Sequence, residues 1–568
     1  MSSLVFAALL SLGWFTAEHF PPWGSWHSEI WVFAAVMYAG AHLLFSRKWK
    51  SSGVVFPSAV WPVFLLASVV VVQTALGRIE FAGDAWVLMF YLALCAVALA
   101  VGYKAGEVAQ PVVGSPVASQ LHIAQFAALL LLAGLGSVAI ALVQSLDVWT
   151  TSGWIHRMPN FRRPGANLGQ PNQLATLVLI SVASLVYLFE TRRLSSLAAL
   201  PMAAILLLGL AVTESRTGAL SLFLMAVWWM AMRRRIGFRL SLRVAALWIL
   251  FFVVCLWYWP AFLSIFQIDG LAGGASSPQV NVRAGTRLII WPQLWQAVLE
   301  RPWLGWGLRE VSEAHNAVLH AYPVSEPFTY AHNLGLELAV GMGLPLTVLF
   351  MVMTGVWLWR RVRSTQDILA WYCLAAALPF GVHSMLEFPF AYAYLLAPVM
   401  LLVGILEARM APERAMRMPW YAAVAVWAFL SAAMAWSVIE YIAIEEDFRV
   451  ARFEALRLGH TPGDYQRPDI ILLTQLGALI EGPRIVPTPE MNAERIESVR
   501  RIALRFPGSA TQNRYALALA LNGNPEEAIR QLKVIRAMHG QKAYLDIKDH
   551  WETLAREKHP QLAQLKLP

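Results

Sequence analysis

His332 and Asn333 stand together at the head of an apolar run, in FTYAHNLGLELAVGMGLP from Phe328 to Pro345, after a long loop that carries Arg287 and Arg309. An imidazole at that place is a proton acceptor where a membrane meets water. An imidazole can take or donate a proton near neutrality, so it suits either a general base or a group that orients an acceptor hydroxyl. Neighbouring guanidiniums suit an anion, because the planar fork of arginine donates two directed, charge-assisted hydrogen bonds and stays protonated. The combination points to chemistry on an anionic, lipid-borne substrate. A lone histidine at a helix start is commonly structural. Here Asn333, Glu337 and the Gly341–Gly343 pair around His332 favour function, and His315 in EAHNAVLH is a weaker rival with the same His-Asn pairing.

Three further stretches carry polar groups that need a reason. Arg216 lies in AVTESRTGAL, between two apolar runs with almost no loop. An arginine near the bilayer boundary is costly unless solvated or paired, so it reads as a phosphate or diphosphate ligand, or else as a snorkelling residue paired with Glu214. Arg287 precedes Trp291 and Trp295, which sit four apart, and reads as a second diphosphate ligand or as an interfacial anchor above a tryptophan belt. The stretch NFRRPGANLGQPNQLA, residues 160–175, offers Arg163, Gln170 and Asn172, whose donors and acceptors match sugar hydroxyls. The packing alternative there is a helix cap at Asn172. His383 and Glu387, in HSMLEFPF, form a polar island read as structural or as substrate-orienting.

Those groups must be held by a membrane scaffold. The chain has 568 residues, 58% of them hydrophobic and 14% charged, with a mean hydropathy of +0.54. A soluble protein would carry about 25% charged residues. The expected fold is all-α and polytopic, with about thirteen spans near 4–18, 30–46, 58–75, 85–103, 121–146, 172–190, 197–213, 217–232, 243–264, 331–359, 367–383, 390–407 and 419–440, each approaching the ~20 residues a bilayer core requires. The first run, Leu4 to Phe15, has no basic leader or small-residue cleavage site and reads as a span. Cys95, Cys255 and Cys373 each sit inside an apolar run without metal-like spacing and read as packing residues.

Alternating the loops gives an orientation. One set is rich in base: Arg47, Lys48, Lys50; Lys104; Arg192, Arg193; Arg233, Arg234, Arg235, Arg239, Arg243; Arg360, Arg361, Arg363; and Arg409, Arg414, Arg417. The positive-inside rule places that set and the N-terminus in the cytoplasm. The opposite face then collects the loop 147–171, the TESRTG turn, the loop 265–330 and HSMLEFPF, as a site facing the periplasm would require. The net charge of +9 belongs to these short loops and does not imply nucleic acid. No Walker loop, HExxH, CxxC, GxSxG or acidic cluster is present, so neither a nucleotide-driven pump nor a metal site is expected, and no cofactor.

After residue 440 the composition turns to ordinary amphipathic sequence. This divides the chain into a transmembrane domain, 1–440, that includes the long periplasmic loop 265–330, and a soluble helical domain, 441–568. Tyr515, Ala516, Ala520, Gly523, Pro525 and Ala528 fall where a tetratricopeptide-type helix pair places small and turn residues; a plain helical tail is the alternative.

Taken together, RPGANLGQPNQLA, the SRTG turn, the loop from Arg287 through PWLGWG to HNLGLELAVGMG, and HSMLEFPFAYAYLLAP resemble the bacterial O-oligosaccharyltransferases of the PglL type, within the O-antigen ligase and Wzy polymerase superfamily. The QPN and HSMLEFPF stretches are similar to the protein-glycosylating branch in particular; the SR turn and HN pair are shared with lipid A-core ligases. The resemblance implies metal-independent, inverting transfer of a preassembled glycan en bloc from undecaprenyl diphosphate to a serine or threonine of a periplasmic protein, often a pilin, at the inner membrane of a Gram-negative cell. It implies an essential trio of Arg216, Arg287 and His332. One departure stands out: the family often has histidine after QPN, and this chain has Gln173. Ligation of glycan onto lipid A-core, glycan polymerisation, and transport of a lipid-linked glycan are the rival functions. The lack of an internal repeat weighs against transport.

Overall fold

The computed structural model describes residues 2–45, 53–108, 117–149, 152–157, 163–265, 279–411 and 414–567. The basic trio Arg47, Lys48 and Lys50, residues 160–162 of the amide-rich stretch and residues 266–278 of the long loop lie outside that set.

Nineteen α-helices are found among the described residues, and the only β-structure there is one short pair of strands. In chain order they are α1 (Ser2–Phe15), α2 (Trp26–Leu44), α3 (Trp61–Ala75), α4 (Ala82–Val108), α5 (Val117–Ser145), α6 (Pro171–Glu190), α7 (Ser196–Val212), α8 (Arg216–Ile236), α9 (Leu242–Ile265), α10 (Gln279–Glu300), α11 (Val311–Leu319), α12 (Leu334–Ser364), α13 (Ile368–Ser384), α14 (Ala393–Met410), α15 (Trp420–Ala455), α16 (Thr474–Glu481), α17 (Ala493–Arg505), α18 (Ser509–Leu521) and α19 (Pro525–Glu557). Strand β1 (Val54–Phe56) pairs antiparallel with β2 (Met416–Met418).

By length and composition, eight described helices are apolar enough to cross a bilayer, and three shorter apolar helices accompany them. Helix α9 bears this out in its surface, where Leu247, Leu250, Trp257 and Tyr258 are all exposed. An apolar helix with its side chains bare is stable in lipid, where its backbone bonds are satisfied internally. The protein is a multi-pass, all-α membrane protein.

Two expectations about boundaries change. Helix α15 does not stop near 440 but continues unbroken to Ala455. The segment 265–330 is not simply loop: it holds α10 and α11, because WPQLWQAVL and VSEAHNAVL each repeat apolar residues at helical spacing.

The chain divides into two compact units. The first comprises residues 1–64, 91–275 and 353–432. Its core runs through α1, α2, α5, α6, α7, α13 and α14, with Leu174 to Leu188 of α6 almost wholly enclosed. Close approach of α4 and α14 depends on glycine. A Cβ on Gly102 would come within 2.0 Å of the Leu401 carbonyl oxygen, and one on Gly404 within 2.3 Å of that of Leu99. Small residues at such crossings let backbones touch where lipid supplies no hydrophobic drive.

The same unit buries one ion pair. Glu407 is 0% exposed, and its Oε1 accepts from Arg361 Nε at 2.5 Å and from Trp357 Nε1 at 2.9 Å, while Oε2 accepts from Ser58 Oγ at 2.6 Å. Arg361 is therefore not a solvated loop charge but the partner of an enclosed carboxylate.

The second unit comprises residues 65–90, 276–352 and 433–568. One core gathers α10, α11 and the first turns of α12 around Leu294, Ala297, Val298 and Trp306. Another lies among α17, α18 and α19, around Ala503, Ala516, Leu532 and Trp551. The helices after 440 thus share a unit with α10 and α11.

Replacing Glu407 by alanine strands the Arg361 guanidinium in an enclosed site. Removing one partner of a buried pair costs about 3–5 kcal/mol. The purified chain in detergent should melt several degrees lower for Glu407→Ala, and lower than for Ser58→Ala, which removes one neutral donor.

Candidate functional site

The unit formed by residues 1–64, 91–275 and 353–432 holds the first polar group. Ser215 caps α8 by accepting from the Gly218 amide at 3.0 Å, and its hydroxyl donates to Asn172 Oδ1 at 2.7 Å. Arg163 Nε donates to the Thr213 carbonyl at 2.8 Å. Two residues of the amide-rich stretch therefore hold the turn that presents Arg216. Arg216 itself is the first residue of α8 and is exposed. The amide N–H groups of a helix start and a guanidinium both favour an anion at that point.

Asn172 is not a helix cap. Pro171 occupies the first helical position, so the cap falls to Gln170, in extended backbone. Asn172 lies inside the helix and takes the Ser215 hydroxyl. Gln173 is buried, and its Oε1 accepts from the Tyr394 hydroxyl at 2.6 Å. Asn167, also buried, donates to the carbonyls of Phe15 and Trp154 and accepts from the His156 amide. Most polar side chains of the stretch are thus engaged by the rest of the fold, and Gln170 is half-buried. His383 and Glu387 form no exposed island. His383 is 1% exposed in the last turn of α13, with Nδ1 2.9 Å from Thr176 Oγ1, and Glu387 is 8% exposed.

The unit formed by residues 65–90, 276–352 and 433–568 holds the second group. His332 adopts φ +53. A left-handed backbone at a non-glycine residue costs on the order of 1–2 kcal/mol and persists where its surroundings over-determine it. The surroundings do so residue by residue. The Phe328 carbonyl accepts from Ser312 Oγ at 2.7 Å, and the Phe328 ring meets the His332 ring edge-on at 5.2 Å. Tyr330 hydroxyl accepts from Arg309 Nη1. The Ala331 amide donates to Glu337 Oε2 at 2.6 Å, and its carbonyl accepts from Trp291 Nε1 at 3.0 Å. Asn333 Oδ1 accepts from the Leu336 amide at 3.0 Å, capping α12. Glu337 is buried, and its carboxylate holds the backbone of Ala331, next to the histidine.

The glycine pair has a similar explanation. Gly343 sits at φ +79 inside α12, and a Cβ there would come within 2.5 Å of the Trp303 carbonyl. The PWLGWG segment lies along this kink, with Trp306 N donating to Val340 O at 2.8 Å and Gly307 N to Gly341 O at 3.0 Å. Gln73 clasps both strands of chain: its Nε2 donates to Gly341 O and its Oε1 accepts from Leu308 N, each at 2.9 Å.

Beside this lies an apolar groove of about 660 Å³, lined by Leu288, Trp291, Trp295, Asn333, Leu336 and Thr347 among others. Arg287 precedes Leu288 on α10 and is half-buried. Of the HN pair it is Asn333 that lines this groove, together with Leu288, the residue after Arg287. His315 is elsewhere: it is 0% exposed, with Nε2 2.9 Å from Gln293 Oε1 and 3.0 Å from Ser325 Oγ, and burial pushes it down to about 4. It is a neutral, enclosed group held by Gln293 and Ser325.

Sequence reasoning took Arg309 only as a guanidinium near the HN pair and gave no role to Tyr330 or Asp84. Arg309 has φ +78, stacks over the Tyr330 ring at 4.7 Å, and has Nε 3.5 Å from Asp84 Oδ1. Burial works against its charge, but Tyr330 and Asp84 hold it protonated well above the ordinary range. Next to it Glu310, 1% exposed, accepts from the Glu80 amide at 3.0 Å, and burial with Asp84 nearby raises its carboxyl to about 8.

Three family descriptions match segments of the chain: protein glycosylation ligase over residues 164–189, O-antigen ligase over 201–351, and the C-terminal part of a virulence-factor membrane-bound polymerase over 371–553. Among relatives, a general O-oligosaccharyltransferase of Acinetobacter baylyi is 25% identical over 551 residues, covering 94% of this chain and 92% of its own length. A ComP-specific O-oligosaccharyltransferase of the same organism is 31% identical over 260 residues, 43% of this chain and 44% of its own. The first segment contains the QPN stretch, the second the SR turn, Arg287 and the HN pair.

Glu310 gives a pH signature. Its folded carboxyl keeps a proton up to about 8, while the unfolded chain releases it near the ordinary 4.5. The folded state then binds more protons across that window, so stability falls as pH rises through it, by up to about 1.4 kcal/mol per pH unit. Glu310→Gln should melt above wild type at pH 8, with the difference vanishing toward pH 4.5. A constant difference at both ends would contradict this.

Proposed function

We propose that this chain, a relative of the protein-glycosylating branch of the O-antigen ligase superfamily, is an oligosaccharyltransferase that moves a preassembled glycan en bloc from a lipid carrier to a protein. The observation that carries this reading is the clamped HN segment beside an apolar groove, in a chain similar over 94% of its length to a general O-oligosaccharyltransferase.

On this reading the carrier is undecaprenyl diphosphate, the acceptor a serine or threonine of a periplasmic protein such as a pilin, and the site faces the periplasm across the inner membrane. His332 receives or directs the hydroxyl proton as the acceptor oxygen attacks the anomeric carbon. The bond from that carbon to the diphosphate oxygen breaks with inversion. Arg287, in the same unit as His332, balances the charge left on the diphosphate; Arg216 offers a second anion-binding group at the start of its own helix; and neither metal nor cofactor enters. Arg163 and Asn172 position the Arg216 turn; Gln170 is the amide of that stretch left to meet sugar. The helices after 440 form the surface that receives the protein acceptor.

Ligation of glycan to lipid A-core is the second reading, favoured by the O-antigen ligase match across residues 201–351. Purified chain supplied with lipid-linked oligosaccharide, acceptor protein and lipopolysaccharide separates the two, since label on lipopolysaccharide alone would remove protein transfer. A well-placed donor to developing charge is worth roughly 3–4 kcal/mol. Arg216→Ala and Arg287→Ala should each slow transfer a hundredfold or more, read by mass spectrometry of the glycosylated peptide. Wild-type rates in both would end the assignment.

A further inference from the structure

The fixed backbone at His332 is tied to a side chain far along the sequence. Arg505, the last residue of α17, donates from Nε to Asp84 Oδ2 and from Nη2 to Asp84 Oδ1, each at 2.7 Å. Both are enclosed, the carboxylate 1% and the guanidinium 6% exposed. Such a two-point pairing is both strong and directional. Asp84 also stands 3.5 Å from Arg309 Nε, and Arg309 in turn holds the Tyr330 hydroxyl and covers its ring. Tyr330 lies two residues before His332, within the segment pinned by Ser312, Trp291 and Glu337.

We propose that the C-terminal helices set the geometry of His332 through this ion-pair chain, Arg505 to Asp84 to Arg309 to Tyr330, making Arg309 and Arg505 positioning residues for transfer. The physical reason is competition for one carboxylate. An enclosed carboxylate needs both oxygens satisfied. While Arg505 occupies them, Asp84 leaves Arg309 turned to Tyr330. Without Arg505, the carboxylate draws the remaining guanidinium to itself, Tyr330 loses its donor, and the left-handed turn at His332 loses one of its clamps. Acceptor protein on the α17 side would bias the same linkage. The idea rests on the glycan-transfer reading for its consequence, but not for its geometry.

The test uses the full chain in lipid nanodiscs, with Arg505→Met, Arg309→Met and the double variant. Two quantities are followed: transfer from polyprenyl-diphosphate-linked oligosaccharide to acceptor, and the rate at which diethyl pyrocarbonate modifies His332, mapped by peptide mass spectrometry. The exposed His460 serves as internal reference. Each single variant should lower kcat at least tenfold with the donor KM unchanged within twofold. The double variant should be no slower than the slower single one. His332 modification should change at least threefold in both singles and not in Arg536→Met, an exposed position outside the chain of pairs. Arg505→Lys, which keeps charge, should restore part of kcat. Tyr330→Phe removes only the hydroxyl and covers the case in which a methionine variant does not fold; it too should alter His332 modification. Multiplicative losses in the double variant, or unchanged His332 modification in Tyr330→Phe and the folded methionine variants, would overturn the proposal. A wild-type chain without transfer activity defeats the functional reading alone, since the modification rates still decide the linkage.

Discussion

A charge withdrawn from water must find an opposite charge and hydrogen-bond donors, and that requirement arranges much of this molecule. In the unit of residues 1–64, 91–275 and 353–432, Glu407 binds Arg361, Trp357 and Ser58, fixing α12, α14 and the turn before α3. In the unit of residues 65–90, 276–352 and 433–568, Asp84 binds Arg505 and faces Arg309. Near it Arg500 spans Glu80 at 2.7 Å and Glu313 at 3.3 Å. These are not surface bridges of little worth. At Glu407 and Asp84 the geometry is directional, the members are enclosed, and breaking a pair leaves a stranded charge.

The candidate site follows the same logic at smaller scale. Its reactive groups are few, and most polar atoms around them are engaged in holding backbone. Asn172 and Arg163 hold the turn that presents Arg216, while Glu337, Trp291 and Ser312 hold the one that presents His332. Preorganisation of this kind matters for transfer to a hydroxyl, because misplacing a proton acceptor by an ångström costs about a hundredfold in rate. It also explains how a histidine is kept at positive φ without a glycine in its place.

Much of this was legible in the chain. Apolar runs announce helices, and the SR and HN pairs announce positions where polar groups meet lipid. What was not legible is partnership over distance. Asp84 and Arg505 are 421 residues apart, and nothing in either neighbourhood names the other. Glu407 looks like an ordinary helix-end carboxylate until Arg361 and Trp357 surround it. Asn172 reads as a cap because caps favour asparagine, yet proline at the first helical position places the cap two residues earlier, at Gln170. The RPGANLGQPNQ stretch reads as a set of sugar-binding amides, but Asn167 and Gln173 are spent on the fold.

Gln173 bears on the chemistry itself. The resemblance leads one to expect histidine after the QPN stretch, and here a buried amide accepts from the Tyr394 hydroxyl, whose own backbone carbonyl accepts from Trp14 Nε1 at 2.9 Å. An amide neither takes nor releases a proton near neutrality, so position 173 keeps shape and carries no proton. His383 is enclosed against Thr176 and His315 against Gln293 and Ser325. Of the histidines weighed for the reaction, His332 alone is partly exposed, and its neighbour Asn333 lines the groove. If transfer needs a proton acceptor from the protein, the fold concentrates that demand on one imidazole, and the clamps around it are the reason it can be met.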